Sequence, residues 1–172
     1  MKKILFIISV ITLFAACQKD FSVWKEYNEA ELKKYETNLG NNSPDITVSE
    51  CFKTSSGVLV EVIFRGHGKT TNSTSYIYCK GWGKLVDGTR FETLNETGYL
   101  VVGKAIKGWQ DVLSMQDNSG ERILKEKALF RIYVPYELGY GKEGSKYNVF
   151  SIPPYSTLIY EIEIDEIIPN NP

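Results

Sequence analysis

The side chains that could carry chemistry in this 172-residue chain are mainly aromatic: 11 Tyr, 8 Phe and 3 Trp make up 13% of the residues. This number is sufficient to line an apolar pocket, although most aromatic side chains in a domain belong to its core. Groups that attack bonds or hold metals are scarce, since the chain has one histidine, His67, and three scattered cysteines. A His/Cys metal site or a Ser-His-Asp hydrolase is therefore not expected, and we expect no metal and no cofactor.

The charge balance argues against another class of function. Lys and Arg number 20 against 21 Asp and Glu, which gives a formal net charge of −1. Basic residues are not concentrated in any block of the sequence. Nucleic-acid binding needs a clustered basic face, so we expect no nucleic-acid partner.

Residues 1–16 are typical of an export signal. Lys2 and Lys3 precede the apolar run 4–14, which is too short to span a bilayer stably. The run ends in LFAAC, which resembles the lipobox of bacterial lipoproteins except that Phe14 stands where an aliphatic residue is usual. The resemblance implies that Cys17 is lipidated and anchors the protein to a membrane; the alternative is an ordinary secretory signal. Because no aspartate follows Cys17, we expect a cell-envelope location with the outer membrane favoured.

Residues 17–50 are expected to form a lipid-anchored stalk with a short amphipathic helix. The segment 20–39 places aromatic and leucine side chains at helix-like spacing, and Gly40 to Pro44 then breaks the pattern. The aromatic stripe has two other interpretations, namely packing on the following domain or on a second copy of the chain. The sequence alone leaves this choice open.

Residues 51–168 have the pattern of one α+β domain, followed by a tail over 169–172. Alternating apolar residues predict strands over 58–63, 128–134 and 158–164, a short run at 76–79 predicts another, and Asp87-Gly88 predicts a turn. One helix is predicted over 105–115, with Ile106, Trp109 and Leu113 on one face. Several strands around one helix indicate an α+β domain with an antiparallel sheet. Cys51 and Cys79 lie in apolar runs, which favours two buried thiols over a disulfide.

Four motifs occur in order within this domain: GKLVDGTRFE, GKAIKGWQDVL, VPYELGYG and SIPPYSTLIYEIEI. Together they resemble the FKBP-type peptidyl-prolyl cis-trans isomerases over about residues 56–167. The resemblance implies a bent antiparallel sheet of about five strands on a short helix. It also implies that the chain accelerates rotation about X–Pro bonds, and that its partners are proline-containing polypeptides.

The resemblance further implies a set of site residues that line an apolar pocket. In the family, the counterpart of Trp109 supports the prolyl ring, the backbone N–H at Ile106 bonds the substrate carbonyl, and the hydroxyl of Tyr140 bonds the substrate backbone. The full set carried over from the motifs is Phe91, Glu92, Leu100, Ala105, Ile106, Trp109, Tyr140, Ile152 and Tyr160.

One departure from the family pattern stands out. The usual pocket tyrosine, which packs on the proline and bonds the acidic residue at 92, falls on Gly81, so Glu92 is expected to lose that partner unless Tyr78 or Trp82 replaces it. Tyr160 also stands where Phe is commoner. Gly81, Glu92 and Ala105, which is smaller than the usual Val, motivate an alternative function, a catalytically weak or inactive binding or chaperone module. A surface lipoprotein that docks on glycans or proteins is a third, less supported interpretation.

Overall fold

The computed structural model describes residues 20–39, 50–95, 99–146 and 151–170. The predicted signal at 1–16, the lipidation site Cys17, and the predicted break at 40–44 lie outside the described residues. The boundaries of the predicted stalk and tail therefore stay predictions. Among the described residues, none of the helices has the length and apolarity needed to cross a membrane.

Seven strands form one antiparallel sheet, which confirms the predicted fold class. They are β1 (Glu50–Lys53), β2 (Leu59–Phe64), β3 (Tyr76–Leu85), β4 (Arg90–Leu94), β5 (Tyr99–Val101), β6 (Leu129–Val134) and β7 (Leu158–Ile168). The order across the sheet is β1-β2-β6-β7-β3-β4, and β5 pairs with the first residues of β3. The long pair of β3 and β7 lies at the centre of the sheet and joins two chain segments that are far apart in sequence.

The sheet is covered on both faces. Helix α1 (Ser22–Thr37) precedes the strands, and the short helix α2 (Lys107–Leu113) follows β5. Alternation along β7 explains the two layers, because Leu158, Tyr160, Ile162 and Ile164 belong to the main core with α2, whereas Ile159 belongs to a second cluster with Leu59 and Tyr133. Apolar residues of α1 pack on that second cluster.

Helix α1 is part of the folded unit. At its first residue, the Ser22 N–H donates a hydrogen bond to the Asp20 carboxylate (2.9 Å). The Tyr35 ring stacks on Tyr133 at 4.5 Å between centroids. Of the interpretations left open for its aromatic stripe, packing on the domain is therefore the one that the structure shows.

Polar contacts from α1 also hold the loop that leads into β7. Asn28 is fully buried, and its side-chain oxygen accepts a hydrogen bond from the Thr157 N–H (2.7 Å). The Trp24 indole N–H donates to the Ser156 hydroxyl (3.1 Å), which in turn donates to the Pro153 carbonyl (2.8 Å). Since a buried amide without a partner is costly, these bonds fix the loop after Ile152 against α1.

The two cysteines of the domain are free thiols. Cys79 is buried, as predicted, but Cys51 is only half-buried. They lie on β3 and β1, which are separated by three strands, so their backbones are roughly 19 Å or more apart at the usual strand spacing. A disulfide needs Cα atoms within about 7 Å, and the fold therefore keeps this pair reduced.

Candidate active site

A cavity of about 470 Å³ opens between α2, the edge of the sheet formed by β3, β4 and β5, and the segment that carries Tyr140. Its lining combines aliphatic and aromatic side chains with a few polar groups. Seven of the nine predicted site residues are in this lining: Glu92, Leu100, Ala105, Ile106, Trp109, Tyr140 and Tyr160. These seven residues are distributed over positions 92–160, and the fold brings them to one cavity.

Phe91 and Ile152 do not line the cavity. Phe91 lies behind it, with its ring in edge-to-face contact with Tyr160 at 5.5 Å. Ile152 is buried in the main core, and its backbone exchanges two hydrogen bonds with Ser145, both 2.8 Å. Both residues support the wall from outside the cavity instead of forming its surface.

Trp109 is the central side chain of the site. It lies on α2, is only 4% exposed, and meets the edge of Tyr160 at 5.2 Å between ring centroids. The helix begins at Lys107, two residues later than predicted, because Ile106 is extended at φ −58° and ψ 154°. The Ile106 N–H is therefore not part of the helical hydrogen-bond pattern, and it can donate a hydrogen bond to a ligand in the cavity.

Three strands place Tyr160 and Glu92 on either side of a glycine. Gly83 on β3 is in register with Tyr160 on β7 and with Glu92 on β4, and the β4 pairing shifts here so that Phe91 is the extra residue. A Cβ at Gly83 would come within 2.7 Å of the Phe91 ring and 2.8 Å of the Tyr160 ring. Only glycine leaves enough space for both rings to cross this strand.

Burial raises the pKa values of three groups in the cavity wall, Glu92, Cys79 and Tyr160. Desolvation raises the pKa of Glu92, while the hydrogen bond from Tyr160 acts in the opposite direction. Glu92 nevertheless remains exposed to solvent at the edge of the cavity. Burial, with a smaller effect of the Glu92 charge, raises the pKa of Cys79 to about 12. The thiol is neutral at physiological pH and is not an activated nucleophile.

A side chain at position 81 could not enter the pocket, because the backbone leaves no space for its Cβ. Gly81 has φ +142°, and a Cβ built there would lie 2.0 Å from the Glu161 carbonyl oxygen on β7. Tyr78 instead contacts Tyr99, and Trp82 packs on the second cluster beside Lys84 and Arg90. Of the alternatives left open by the sequence, replacement of the missing tyrosine by Tyr78 or Trp82 does not occur, because neither side chain lines the cavity.

Sequence reasoning missed the remaining lining residues, which are Ile77, Cys79, Thr93, Leu94, Asn95, Tyr99 and Lys104. The alternation along β3 could have identified two of them, since Ile77 and Cys79 share the inward face. The others follow from the pairing of β4 and β5 with β3, which local sequence does not encode. In the part of the chain that the structure describes, there is no group of three His, Cys, Asp or Glu side chains that could hold a metal ion.

Comparison with known proteins identifies relatives of this arrangement. The family model of FKBP-type peptidyl-prolyl cis-trans isomerases matches residues 68–165. An FKBP-type 22 kDa peptidyl-prolyl cis-trans isomerase of Escherichia coli is 32% identical over 67% of this chain and 52% of its own length. A probable FKBP-type isomerase of Haemophilus influenzae is 31% identical over 69% of this chain and 46% of its own length. The chain thus spans about half the length of these curated relatives.

Solved structures share the fold. The crystal structure of FkpA from Escherichia coli matches 95% of this chain and 72% of its own, with a TM-score of 0.70 at 23% identity. A peptidyl-prolyl cis-trans isomerase from Pseudomonas syringae matches 81% of this chain and 95% of its own, with a TM-score of 0.60 at 22% identity. At such identities the likeness concerns the fold, and it confirms the bent antiparallel sheet around a short helix.

Proposed function

Because the chain belongs to the family of FKBP-type peptidyl-prolyl cis-trans isomerases, we propose that it accelerates cis-trans isomerisation of Xaa–Pro bonds in polypeptides. The single observation that carries the proposal is the cavity around Trp109. An aromatic surface and aliphatic walls suit a prolyl ring, and the neutral Cys79 thiol argues against covalent catalysis there.

The reaction needs neither a nucleophile nor a metal. Rotation about an Xaa–Pro bond faces a barrier of about 20 kcal/mol because amide resonance is lost in the twisted state. A site accelerates rotation when it binds the twisted form more tightly than either planar form. The twisted imide has a less polarised carbonyl, so it loses less when it leaves water for an apolar cavity. The extended backbone at Ile106 presents an N–H to which a substrate carbonyl can bond.

Isomerase activity is measured on peptides with an apolar residue before proline, by protease-coupled absorbance or by NMR exchange. We expect catalysis that rises linearly with protein concentration and disappears when the protein is unfolded in denaturant. A rate equal to that of the uncatalysed reaction at every protein concentration would overturn the proposed activity.

A second candidate function is a binding or chaperone module with weak or no isomerase activity. The observation that favours it is Gly81, since the position has no phenol to contact a bound proline. This function predicts that Xaa–Pro peptides perturb the NMR signals of the cavity residues without any increase in exchange rate. The same titration therefore distinguishes the two functions.

We propose that the chain acts in the cell envelope, anchored through a lipid on Cys17 and with the outer membrane favoured. The support comes from the sequence LFAAC at 13–17 and from the apolar run before it. Labelling with a radioactive fatty acid is expected to mark the wild-type protein in membrane fractions of a bacterial host. Cys17→Ser should abolish the label, whereas Cys51→Ser should retain it. Equal labelling of wild type and Cys17→Ser would contradict the proposal.

A further inference from the structure

We infer that Asn28 of helix α1 is a positioning residue of this site, because it holds the backbone on which the loop with Tyr140 is packed. Residues 139–145 form this Tyr140 loop, and residues 152–157, here called the support segment, bond to it on one side and to α1 on the other. Tyr140 lines the cavity, whereas Asn28 does not. The inference rests on the proposed function in so far as Tyr140 contacts the substrate.

Asn28 occupies an unusual place for a polar residue. Among the described residues of α1 it is the one that is buried, while Trp24 and Leu32 on the same helix are only half-buried. Its amide nitrogen donates to the Trp24 carbonyl (2.8 Å), and its oxygen accepts a hydrogen bond from the Thr157 N–H (2.7 Å). Burial of a polar side chain costs free energy unless it is hydrogen-bonded, so the bond to Thr157 fixes the end of the support segment on α1.

The support segment packs directly on the Tyr140 loop. The Tyr155 N–H donates to the carbonyl of Gly141 (2.9 Å), the residue that follows Tyr140. Farther along the loop, a Cβ on Gly144 would lie 2.2 Å from the Ile152 carbonyl oxygen. Backbone meets backbone at both points, so the position of Tyr140 depends on the position of the support segment.

Contacts with α1 hold the support segment in a strained conformation. Tyr155 has φ +62°, in the left-handed region that is unfavourable for a residue with a side chain. Such a conformation persists where surrounding contacts impose it. The next residue, Ser156, accepts a hydrogen bond from the Trp24 indole N–H (3.1 Å). Together with the Asn28 bond, α1 thus anchors the chain just after Tyr155, and loss of these contacts is expected to weaken the bond between the support segment and the Tyr140 loop.

Two other aromatic side chains of the cavity are positioned by different elements. Tyr160 lies on β7, which pairs with β3 on one side and with β6 on the other. Trp109 lies on α2 and meets Tyr160 edge-to-face at 5.2 Å between ring centroids. A change at Asn28 should therefore displace Tyr140 and leave Trp109 in place, which distinguishes positioning from a general loss of structure.

The test is Asn28→Ala in the full chain, at a temperature where urea denaturation shows the variant to be folded. We expect the aromatic ¹³C–¹H signals of Tyr140 to shift while the Trp109 indole signal stays at its wild-type position. The Tyr155 amide should exchange with solvent about fivefold faster, which is the effect of about one lost hydrogen bond on local opening. Trp24→Phe keeps an aromatic ring and loses the indole donor, so it should produce smaller changes of the same kind. Should Asn28→Ala not fold, the result for Trp24→Phe decides alone.

Kinetics connect this displacement to the substrate. For Xaa–Pro peptides we expect KM to rise about fivefold in Asn28→Ala with kcat unchanged, because a contact of Tyr140 with the substrate backbone acts in the ground state and the transition state alike. In a double-mutant cycle with Tyr140→Phe, the loss caused by Asn28→Ala should shrink to less than about twofold, since that contact is already absent. Full additivity of the two losses would overturn the inference.

The matched control is Tyr35→Leu. Tyr35 also docks α1 on the sheet, through its stacked contact with Tyr133 at 4.5 Å, but it lies nearer the end of the helix and does not contact the support segment through any described hydrogen bond. This variant should lose stability and keep the Tyr140 signals and KM at wild-type values. Unchanged Tyr140 signals in both Asn28→Ala and Trp24→Phe would overturn the inference, as would equal changes in Tyr35→Leu. The NMR readouts do not require activity, so an inactive wild-type protein would overturn the proposed function and leave the position of Tyr140 measurable.

Discussion

Replacing Gly81 by alanine is expected to lower the free energy of unfolding by about 3 kcal/mol or more. The new Cβ would lie 2.0 Å from the Glu161 carbonyl oxygen and 3.1 Å from the Ile162 Cα. Both atoms are backbone of the central strand β7, which cannot move without breaking its pairing with β3. A φ of +142° adds conformational strain for any residue with a side chain. Urea denaturation gives the free energy directly.

Gly88→Ala and Gly120→Ala are matched controls for this prediction. Both glycines have positive φ, +88° and +83°, but a Cβ at either site would meet no atom within 4 Å. Their cost of about 1 kcal/mol measures the backbone strain alone. The difference from Gly81→Ala then measures the clash with β7 together with the additional strain of the larger φ, and an equal loss in all three variants would refute the prediction.

The same geometry makes Gly81→Tyr destabilising and unable to restore a pocket phenol. The side chain would start toward β7, in the plane of the sheet, and not toward Trp109. Reintroducing the family tyrosine at this position therefore cannot serve as a test of whether its absence weakens catalysis.

Trp109→Leu is expected to reduce kcat/KM for Xaa–Pro peptides at least tenfold. The change removes the flat surface of the cavity and its edge-to-face contact with Tyr160, so the twisted imide loses contacts that a leucine cannot replace. Stability should also fall by about 3 kcal/mol, because a buried aromatic side chain is truncated. Activity is measured at a temperature where urea denaturation shows the variant to be fully folded.

Trp82→Leu separates the loss of activity from the loss of stability. Trp82 is half-buried on the outer face of the sheet, where it packs on the cluster that α1 covers. This variant should lose stability and keep its kcat/KM within twofold of wild type. If Trp109→Leu kept wild-type activity, or if both tryptophan variants lost activity equally, the cavity around Trp109 would not be the catalytic site.

The sequence predicted the long elements well and the short ones poorly. The inward face of β7 was correct because alternation over many residues has a clear period of two, and Leu158, Tyr160, Ile162 and Ile164 are all buried. Strands β4 and β5 were not predicted. None of their residues is buried, they are too few to show a period, and their pairing with β3 is what makes them strands.

For the site, residue identity was more predictable than geometry. The motifs indicated Trp109, Ile106 and Glu92, and the structure places all three around one cavity. They also indicated that Gly81 is unusual, but not that its backbone excludes a side chain. The placement of Tyr160 and Glu92 on either side of Gly83 could not be predicted, because it depends on the register of β3 with β4 and with the distant strand β7.

The docking of α1 limits how far the cavity can stand from a membrane if Cys17 carries a lipid. Four residues, 18–21, separate Cys17 from the start of α1, and a fully extended chain covers about 18 Å over that distance. Because α1 lies along the sheet, its length of about 24 Å adds nothing to the reach. A lipidated form would therefore work within about one domain diameter of the bilayer surface. Its clients would be polypeptides that pass close to that surface, and not those diffusing in the bulk of the compartment.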